Sequence, residues 1–230
     1  MIDFHSHILP GIDDGSRDVA ESLKLLKLLE AQGVDTVAAT SHYYVTRRSP
    51  SEFFQRRGAA WEKLQAAYSG PLQIRLGAEV LYFSGISRMA ELPRFKLEGT
   101  PLLLLEMPFE TWSSYAVREV IEMSHSAEYT LLLAHIERYY DQQKPAVWDQ
   151  LLENDILMQS NADFFLPLRT RRKALRLLGE GRIHLLGSDC HNVTSRPPRM
   201  AEAAERIRRR FGDEMLSEID ALGRELLGER

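Results

Sequence analysis

Three observations predict an α/β fold built on a mainly parallel sheet. Short apolar runs alternate with longer amphipathic stretches from one end of the 230-residue chain to the other. A histidine, carboxylate or amide closes almost every one of those runs. No internal repeat, low-complexity tract or linker interrupts the alternation, so residues 1–230 are expected to form one domain. Seven apolar runs suit a barrel or a distorted relative of one, although an open doubly wound sheet satisfies the same periodicity.

Taken in order, the first strand is Ile2–Phe4, with His5 and His7 directly behind it. In DVAESLKLLKLLEAQG, Val19, Leu23, Leu26 and Leu29 fall at three- and four-residue spacing and Gly33 stands where a helix would stop. The second strand, Val34–Ala39, runs through TSH to His42 and is followed by a helix over Ser51–Tyr68. Leu72–Leu76 leads to Glu79 in LGAEV, and Leu102–Leu105 leads to Glu106 in LLLLEMP, ahead of a helix over Ser114–Glu128. Thr130–Ala134 ends on His135 in LLLAHIERY and precedes a helix over Pro145–Glu153. Ile156–Met158 leads to Asn161 in MQSNAD, before a helix over Thr170–Leu178. Ile183–Leu186 runs into Asp189 and His191 in LLGSDCHN, and helices over Pro198–Phe211 and Asp213–Leu227 complete the chain.

Composition narrows the function. Apolar residues make up 44%, as in an ordinary folded protein, and a net charge of -4 gives no global basic surface for nucleic acid. The single cysteine, Cys190, rules out an internal disulfide and fits a reducing compartment. No run approaches the roughly 20 apolar residues of a membrane span, and no basic region followed by an apolar run marks a secretory signal. The expected location is the cytoplasm.

In β/α barrels the strand C-termini share one face, and chemistry gathers there. His5 and His7, two apart, point to opposite sides of an extended strand, so a bend is needed to bring both rings to one ion; the same holds for Asp189 and His191. Each pair alone is a weak signal. Together with His42, Glu79, Glu106 and His135 they form a set, and charged groups seldom end apolar strands without partners. Imidazoles mixed with carboxylates and no thiolate suit Mn²⁺, Fe²⁺ or Zn²⁺. So many ligands exceed the needs of one ion and suit two or three sharing a carboxylate, for which Glu79 is the natural candidate. Clustered divalent ions acidify a bridging water and clamp phosphoryl oxygens during in-line attack, so hydrolysis of a phosphate ester is the leading chemistry.

FHSHILPGIDDG, TSH, GAE, LLE-x-P, H-x-ERY and GSDCHN…RPP together resemble the polymerase-and-histidinol-phosphatase (PHP) superfamily. Within it the likeness is to the bacterial protein-tyrosine phosphatases of capsule and exopolysaccharide operons, and it spans about residues 1–200. The resemblance implies a distorted (β/α)7 TIM-like barrel carrying three divalent ions, usually manganese, and a metal-bridging hydroxide as nucleophile. It implies one ion held by His5, His7, Glu79 and Asp189, and a second sharing Glu79 and adding Glu106 and His135. The third would take His42, His191 and an acid of the DDG turn, Asp14 in preference to Asp13. Arg138 and Arg196 match the phosphate-holding arginines. The implied substrate is phosphotyrosine on a partner protein, typically the tyrosine-rich tail of a bacterial tyrosine kinase. Three positions depart from the family pattern: Ile136 and Ser41 replace prolines, and Cys190 stands where a small residue is usual. The ADFFLP stretch after Asn161 is also bulkier than in the family. The alternatives are a small-molecule phosphatase of the histidinol-phosphate kind, a phosphodiesterase, or a metal-bearing scaffold that binds a kinase tail without turning it over.

Other features have simpler readings. Cys190 and Arg196 satisfy the C-x5-R spacing of thiol phosphatases, but CHNVTSR has no glycine to let backbone N–H groups converge, and Asp189 would raise the thiol pKa. The segment 43–58, with Arg47, Arg48, Arg56 and Arg57 among Tyr43, Tyr44, Phe53 and Phe54, is a candidate lid. His125 and His184 read as structural, RIRRRF as a solvated helix face, and Trp61, Trp112 and Trp148 as core or interface, with Trp112 placed to line the site.

Overall fold

The computed structural model describes residues 1–229. Nine parallel strands are β1 (Ile2–Ser6), β2 (Thr36–Ala39), β3 (His42–Tyr43), β4 (Gln73–Leu76), β5 (Glu79–Leu81), β6 (Leu102–Glu106), β7 (Thr130–Leu133), β8 (Leu157–Asn161) and β9 (Leu185–Gly187). Between and after them run α1 (Val19–Ala31), α2 (Pro50–Ala67), α3 (Ser114–Ser124), α4 (Pro145–Glu153), α5 (Leu168–Gly179), α6 (Met200–Phe211) and α7 (Asp213–Leu226). Pairing runs β1–β2–β4 in one ladder and β3–β5–β6–β7–β8–β9 in the other.

The two ladders are parts of one curled sheet. A kink at Thr40–Ser41 divides the second expected strand into β2 and β3, and a kink at Gly77–Ala78 divides the third into β4 and β5. Across the kinks the Gly77 N–H donates to the Ala39 carbonyl and the Glu79 N–H to the Thr40 carbonyl. On the far side β9 meets β1 through a bridge between Ser6 and Cys190, with the His7 N–H donating to the Cys190 carbonyl at 2.9 Å. The result is a distorted barrel, as the seven-strand reading anticipates. The nine-strand count arises because two-residue and three-residue segments such as His42–Tyr43 are too short to register as periodic patterns.

LLLL in β6 illustrates why these runs are apolar throughout. Leu102 and Leu104 face the barrel interior with Ile2, Phe4, Ala38, Leu132, Ala134 and Leu185. Leu103 and Leu105 face the outer layer, where Leu25, Leu29, Val120, Leu151 and Leu177 of the helices pack. Both faces of a parallel strand are covered, so no polar alternation survives. Side-chain caps start three helices: Asp18, Ser49 and Ser113 each accept an N–H of the first turn of α1, α2 and α3.

α3 ends earlier than the pattern to Glu128 suggests, with His125 as its C-cap and its Nε2 3.1 Å from Asn154 Oδ1. α5 begins two residues before Thr170, behind Pro167. α7 crosses the N-terminal end of the barrel, where Gly223 abuts Ile2 and Phe4 so closely that a Cβ there would collide with both. Leu222, Leu226 and Leu227 seal that end.

Candidate metal centre

At the opposite end, seven of the nine sequence-selected metal ligands meet in one buried cluster, with His42 partly exposed beside them, both arginines at its mouth and Asp14 at its solvent edge. His5 ends the extended part of β1, and a register shift between Asp3 and Ser6 supplies the bend that His5 and His7 require. Both rings then face inward, with their Nε2 atoms 3.1 Å apart. Glu79 at the head of β5 lies at the centre: its Oε2 is 3.2 Å from His5 Nε2, 3.3 Å from His7 Nε2 and 2.8 Å from His42 Nδ1. Its Oε1 is 2.7 Å from His135 Nε2, which also lies 3.4 Å from Glu106 Oε1. Asp189 Oδ1 is 3.4 Å from His7 Nε2 and 3.7 Å from His5 Nε2.

The local backbone is shaped for this convergence. Among the described residues, three non-glycines have positive φ: His135 (30°), Asp189 (50°) and Asp155, the last in the turn after α4. Two of the three are thus candidate ligands, and left-handed backbone of this kind concentrates at functional sites. Gly15 of the DDG turn and Gly187 of GSD allow close approach, since a Cβ on either would strike His7 or His5.

Much of the cluster is oriented from behind. His5 Nδ1 is 3.1 Å from Gln159 Oε1, His7 Nδ1 is 2.9 Å from Asp13 Oδ2, and His191 Nδ1 is 3.0 Å from the Asp189 carbonyl. Fixing one ring nitrogen leaves Nε2 of all three free to face the centre. Asp13 also accepts the His42 and Gly15 N–H groups, so its oxygens are committed to support. Asp14, more exposed, sets Oδ1 3.3 Å from His42 Nε2 and 3.6 Å from His191 Nε2.

The donor set fits divalent cations. His7, His42 and His191 bring ligand atoms within 4.8 Å of one another, as do His5, His7 and Asp189; His5, Glu79 and His135; and His42, Glu79 and Glu106. Glu79 Oε2, His42 Nδ1, His135 Nδ1 and His191 Nε2 are buried without a hydrogen-bond partner. Buried lone pairs aimed at one another are costly unless positive charge lies between them. The protonation balance says the same. Burial opposes charge on His42 and His135, yet Glu79 beside both, with Asp14 and Glu106, lifts each to about 9. Burial likewise penalises charged Glu79 and Asp189, but the imidazoles around them, with Arg138 at Asp189, hold both well below the ordinary carboxylate range. The cluster gathers protons where cations would otherwise supply the charge.

Arg138 and Arg196 both donate to Asp189 Oδ2, Arg196 at 2.7 Å, and Asn161 Nδ2 joins them at 2.8 Å. The two guanidinium groups remain about one-third exposed, at the mouth of the cluster. A small cleft beside them is lined by Asn161, Phe164, Pro167 and Thr170, which is where the bulky ADFFLP stretch comes to rest.

Several residues of this arrangement escaped the sequence reading. Gln159, whose Oε1 also accepts the His135 N–H at 2.7 Å, is one; Asn161 as a partner of Asp189 and Asp13 as a support are others. The signal for Gln159 and Asn161 is a polar triplet, Gln159-Ser160-Asn161, buried at the end of β8. Trp112 does not line the site: it is buried against Tyr139 and Trp148, with Nε1 donating to the Pro108 carbonyl. The 43–58 segment is largely fixed, since Tyr43 and Phe53 are buried and Arg48 and Arg56 donate to the carbonyls of Ile12 and Gly11. Tyr44 stacks on His42 at 5.1 Å with Arg47 over its outer face, and these line a cleft of about 500 Å³ with Asp14. Cys190 is fully buried, and burial pushes its thiol up to about 12, which removes the thiolate reading of C-x5-R.

Comparison with known proteins identifies the family. The family described as "Capsular polysaccharide synthesis, CpsB/CapC" matches residues 1–223. Tyrosine-protein phosphatase CpsB of Streptococcus agalactiae is 30% identical over 95% of this chain and 94% of its own. Tyrosine-protein phosphatase YwqE of Bacillus subtilis is 28% identical over 94% of this chain and 87% of its own. A solved structure from the study of Bacillus subtilis YwqE and Streptococcus pneumoniae CpsB, described as unique metal-dependent tyrosine phosphatases, superposes with a TM-score of 0.86. That similarity covers 100% of this chain and 95% of the other at 26% identity. A histidinol phosphate phosphatase from Lactococcus lactis, 15% identical with a TM-score of 0.56 over 96% of this chain and 93% of its own, shares the fold.

Proposed function

This chain belongs to the CpsB/CapC family of capsular polysaccharide synthesis, and from that premise we infer that it is a metal-dependent tyrosine-protein phosphatase. The observation that carries the reading is the convergence of four buried imidazoles and the partly exposed His42 with Glu79, Glu106 and Asp189, beside two arginines about one-third exposed. We assign His5, His7, Glu79 and Asp189 to one cation, Glu79, Glu106 and His135 to a second, and His42, His191 and Asp14 to a third, with Mn²⁺ as the preferred metal. The substrate in this reading is phosphotyrosine on a partner protein, the tyrosine-rich tail of a bacterial capsule kinase, met in the cytoplasm. Among the described residues no helix is long and apolar enough to cross a membrane.

Divalent cations held here supply Lewis-acid charge to phosphoryl oxygens and acidify a water molecule. The chain's own residues do the rest. Arg138 and Arg196, each about one-third exposed at the mouth of the cluster and anchored on Asp189, are placed to grip phosphate oxygens through their N–H groups. Gln159 and Asp13 keep His5 and His7 in the ring orientation that aims Nε2 inward. Tyrosinate, with a pKa near 10, leaves with far less protonation than an alkoxide, so no side chain is needed as a strong general acid. No protein nucleophile is required, and the buried Cys190 is unsuited to be one.

The test pairs metal analysis with assays on a phosphotyrosine peptide and on histidinol phosphate, with and without chelator. The reading expects chelator-sensitive turnover of the peptide, loss in His42→Ala and survival in Cys190→Ser. Chelator-insensitive turnover abolished in Cys190→Ser would overturn it. Preference for histidinol phosphate would move the chain to small-molecule chemistry, and an intact phosphopeptide in the presence of Mn²⁺ would make it a binding scaffold.

A further inference from the structure

We propose that Phe109 is the wall against which the aromatic ring of the substrate lies, and that it biases the enzyme toward aryl phosphates. Phe109 is 52% exposed, one of few large apolar side chains so placed. Its ring centroid is 5.8 Å from the His135 ring, and the Arg138 guanidinium carbon lies 5.8 Å from the same centroid. An exposed phenyl ring thus adjoins both a candidate metal ligand and a candidate phosphate-holding arginine.

The loop that carries it is pinned. The Trp112 N–H donates to Gln143 Oε1 at 3.0 Å, and Gln143 Nε2 donates to the Glu110 carbonyl at 2.7 Å. Thr111 Oγ1 donates to the Gln142 carbonyl and Trp112 Nε1 to the Pro108 carbonyl. Beneath the ring, Tyr139 stacks at 6.1 Å and is itself buried. A hydrophobic side chain held half in water on a rigid loop pays its ordering cost before any ligand arrives. In a phosphotyrosine the ring and phosphorus are separated by one oxygen. A phosphoryl group gripped by Arg138 therefore brings its aryl ring within stacking range of Phe109, where offset or edge contacts are favourable. A serine or threonine phosphate has no ring to place there.

This inference rests on the phosphatase reading above, and the experiment separates the two. KM for a phosphotyrosine peptide and the competitive Ki of inorganic phosphate are measured with Mn²⁺ for wild type, Phe109→Ala, Phe109→Leu and Phe109→Trp. The wall predicts a rise of about tenfold in KM for Phe109→Ala, with phosphate Ki unchanged because phosphate carries no ring. Phe109→Leu restores apolar bulk but not an aromatic face and stays impaired, whereas Phe109→Trp recovers. An unchanged KM in Phe109→Ala would overturn the proposal. So would parallel shifts in KM and Ki, which would make Phe109 a support for the metal and phosphate site. A wild type inert toward the phosphopeptide but active on an alkyl phosphate would overturn the tyrosine-phosphatase reading, and the wall with it.

Discussion

The two ends of the barrel solve opposite problems. At the N-terminal end charges stand in ion pairs: the Met1 ammonium meets Asp35 and Asp220, Arg224 meets Asp35, Asp220 and Glu229, and Leu222, Leu226 and Leu227 fill the space below. At the C-terminal rim, acceptors face acceptors: Glu79 Oε2 is buried with no hydrogen-bond partner, and two imidazole Nε2 atoms stand 3.1 Å apart. One end is held by ion pairs and apolar packing, while the other has the donor set of a cation site. Stability and chemistry are therefore separable along the barrel axis, as the location of active sites in β/α barrels implies.

The sharpest way to break that contrast is Glu79→Ala, which removes the group shared by four imidazoles. Phosphotyrosine turnover should fall by about 10³-fold or more, with bound metal reduced, and near-wild-type metal content would contradict the role given to Glu79. Arg138→Ala comes next, with kcat/KM down by about 10²-fold and metal content unchanged. Gln159→Leu touches no reacting group, yet metal affinity or activity should drop by about tenfold, since Gln159 orients His5 and meets the His135 N–H. At the other end, Leu227→Ala should cost about 2 kcal/mol of stability, read by denaturant unfolding, while activity per folded molecule stays constant. Asp35→Ala, losing its half-exposed pairs with the Met1 ammonium and Arg224, should cost about 1 kcal/mol.

Acidity gives the comparison a further edge. His42 and His135 rise to about 9 in the metal-free fold, above the unfolded value near 6.5. Their contribution to stability is complete below pH 6.5 and disappears as pH climbs through 9. Melting in chelator should therefore weaken from pH 6.5 to 9, and a Tm that rises over that interval would contradict the charged cluster. Added divalent cation should reverse the trend, because binding to deprotonated imidazole improves with pH.

Most of the alternation was legible because buried parallel strands and amphipathic helices carry distinct periods, and LLLL followed by Glu106 is as plain a strand end as a sequence offers. The candidate ligands were legible for the same reason: polar groups closing apolar runs. What sequence could not resolve was support at a distance. Gln159 reaches His5 across 154 positions, and only the barrel's curl makes them neighbours. The kinks that set β3 and β5 apart from β2 and β4 left no periodic mark, because each follows only two intervening residues. Trp112 and Phe109 lie three apart on one loop, and which of the two turned inward depended on hydrogen bonds to Gln143 that no local pattern announces.

Asp189 divides its carboxylate between two clients. One oxygen faces the His5 and His7 imidazoles, while the other is shared by Arg138, Arg196 and Asn161. A cation held at the first oxygen, as the proposed ligand assignment has it, would weaken the grip of the second on both guanidinium groups and leave them freer for an incoming anion. By reciprocity, an anion that takes those arginines leaves the carboxylate more available to the ion. Under the proposed assignment, filling the cage and capturing the substrate would be linked through a single side chain, and affinity for either should depend on the presence of the other.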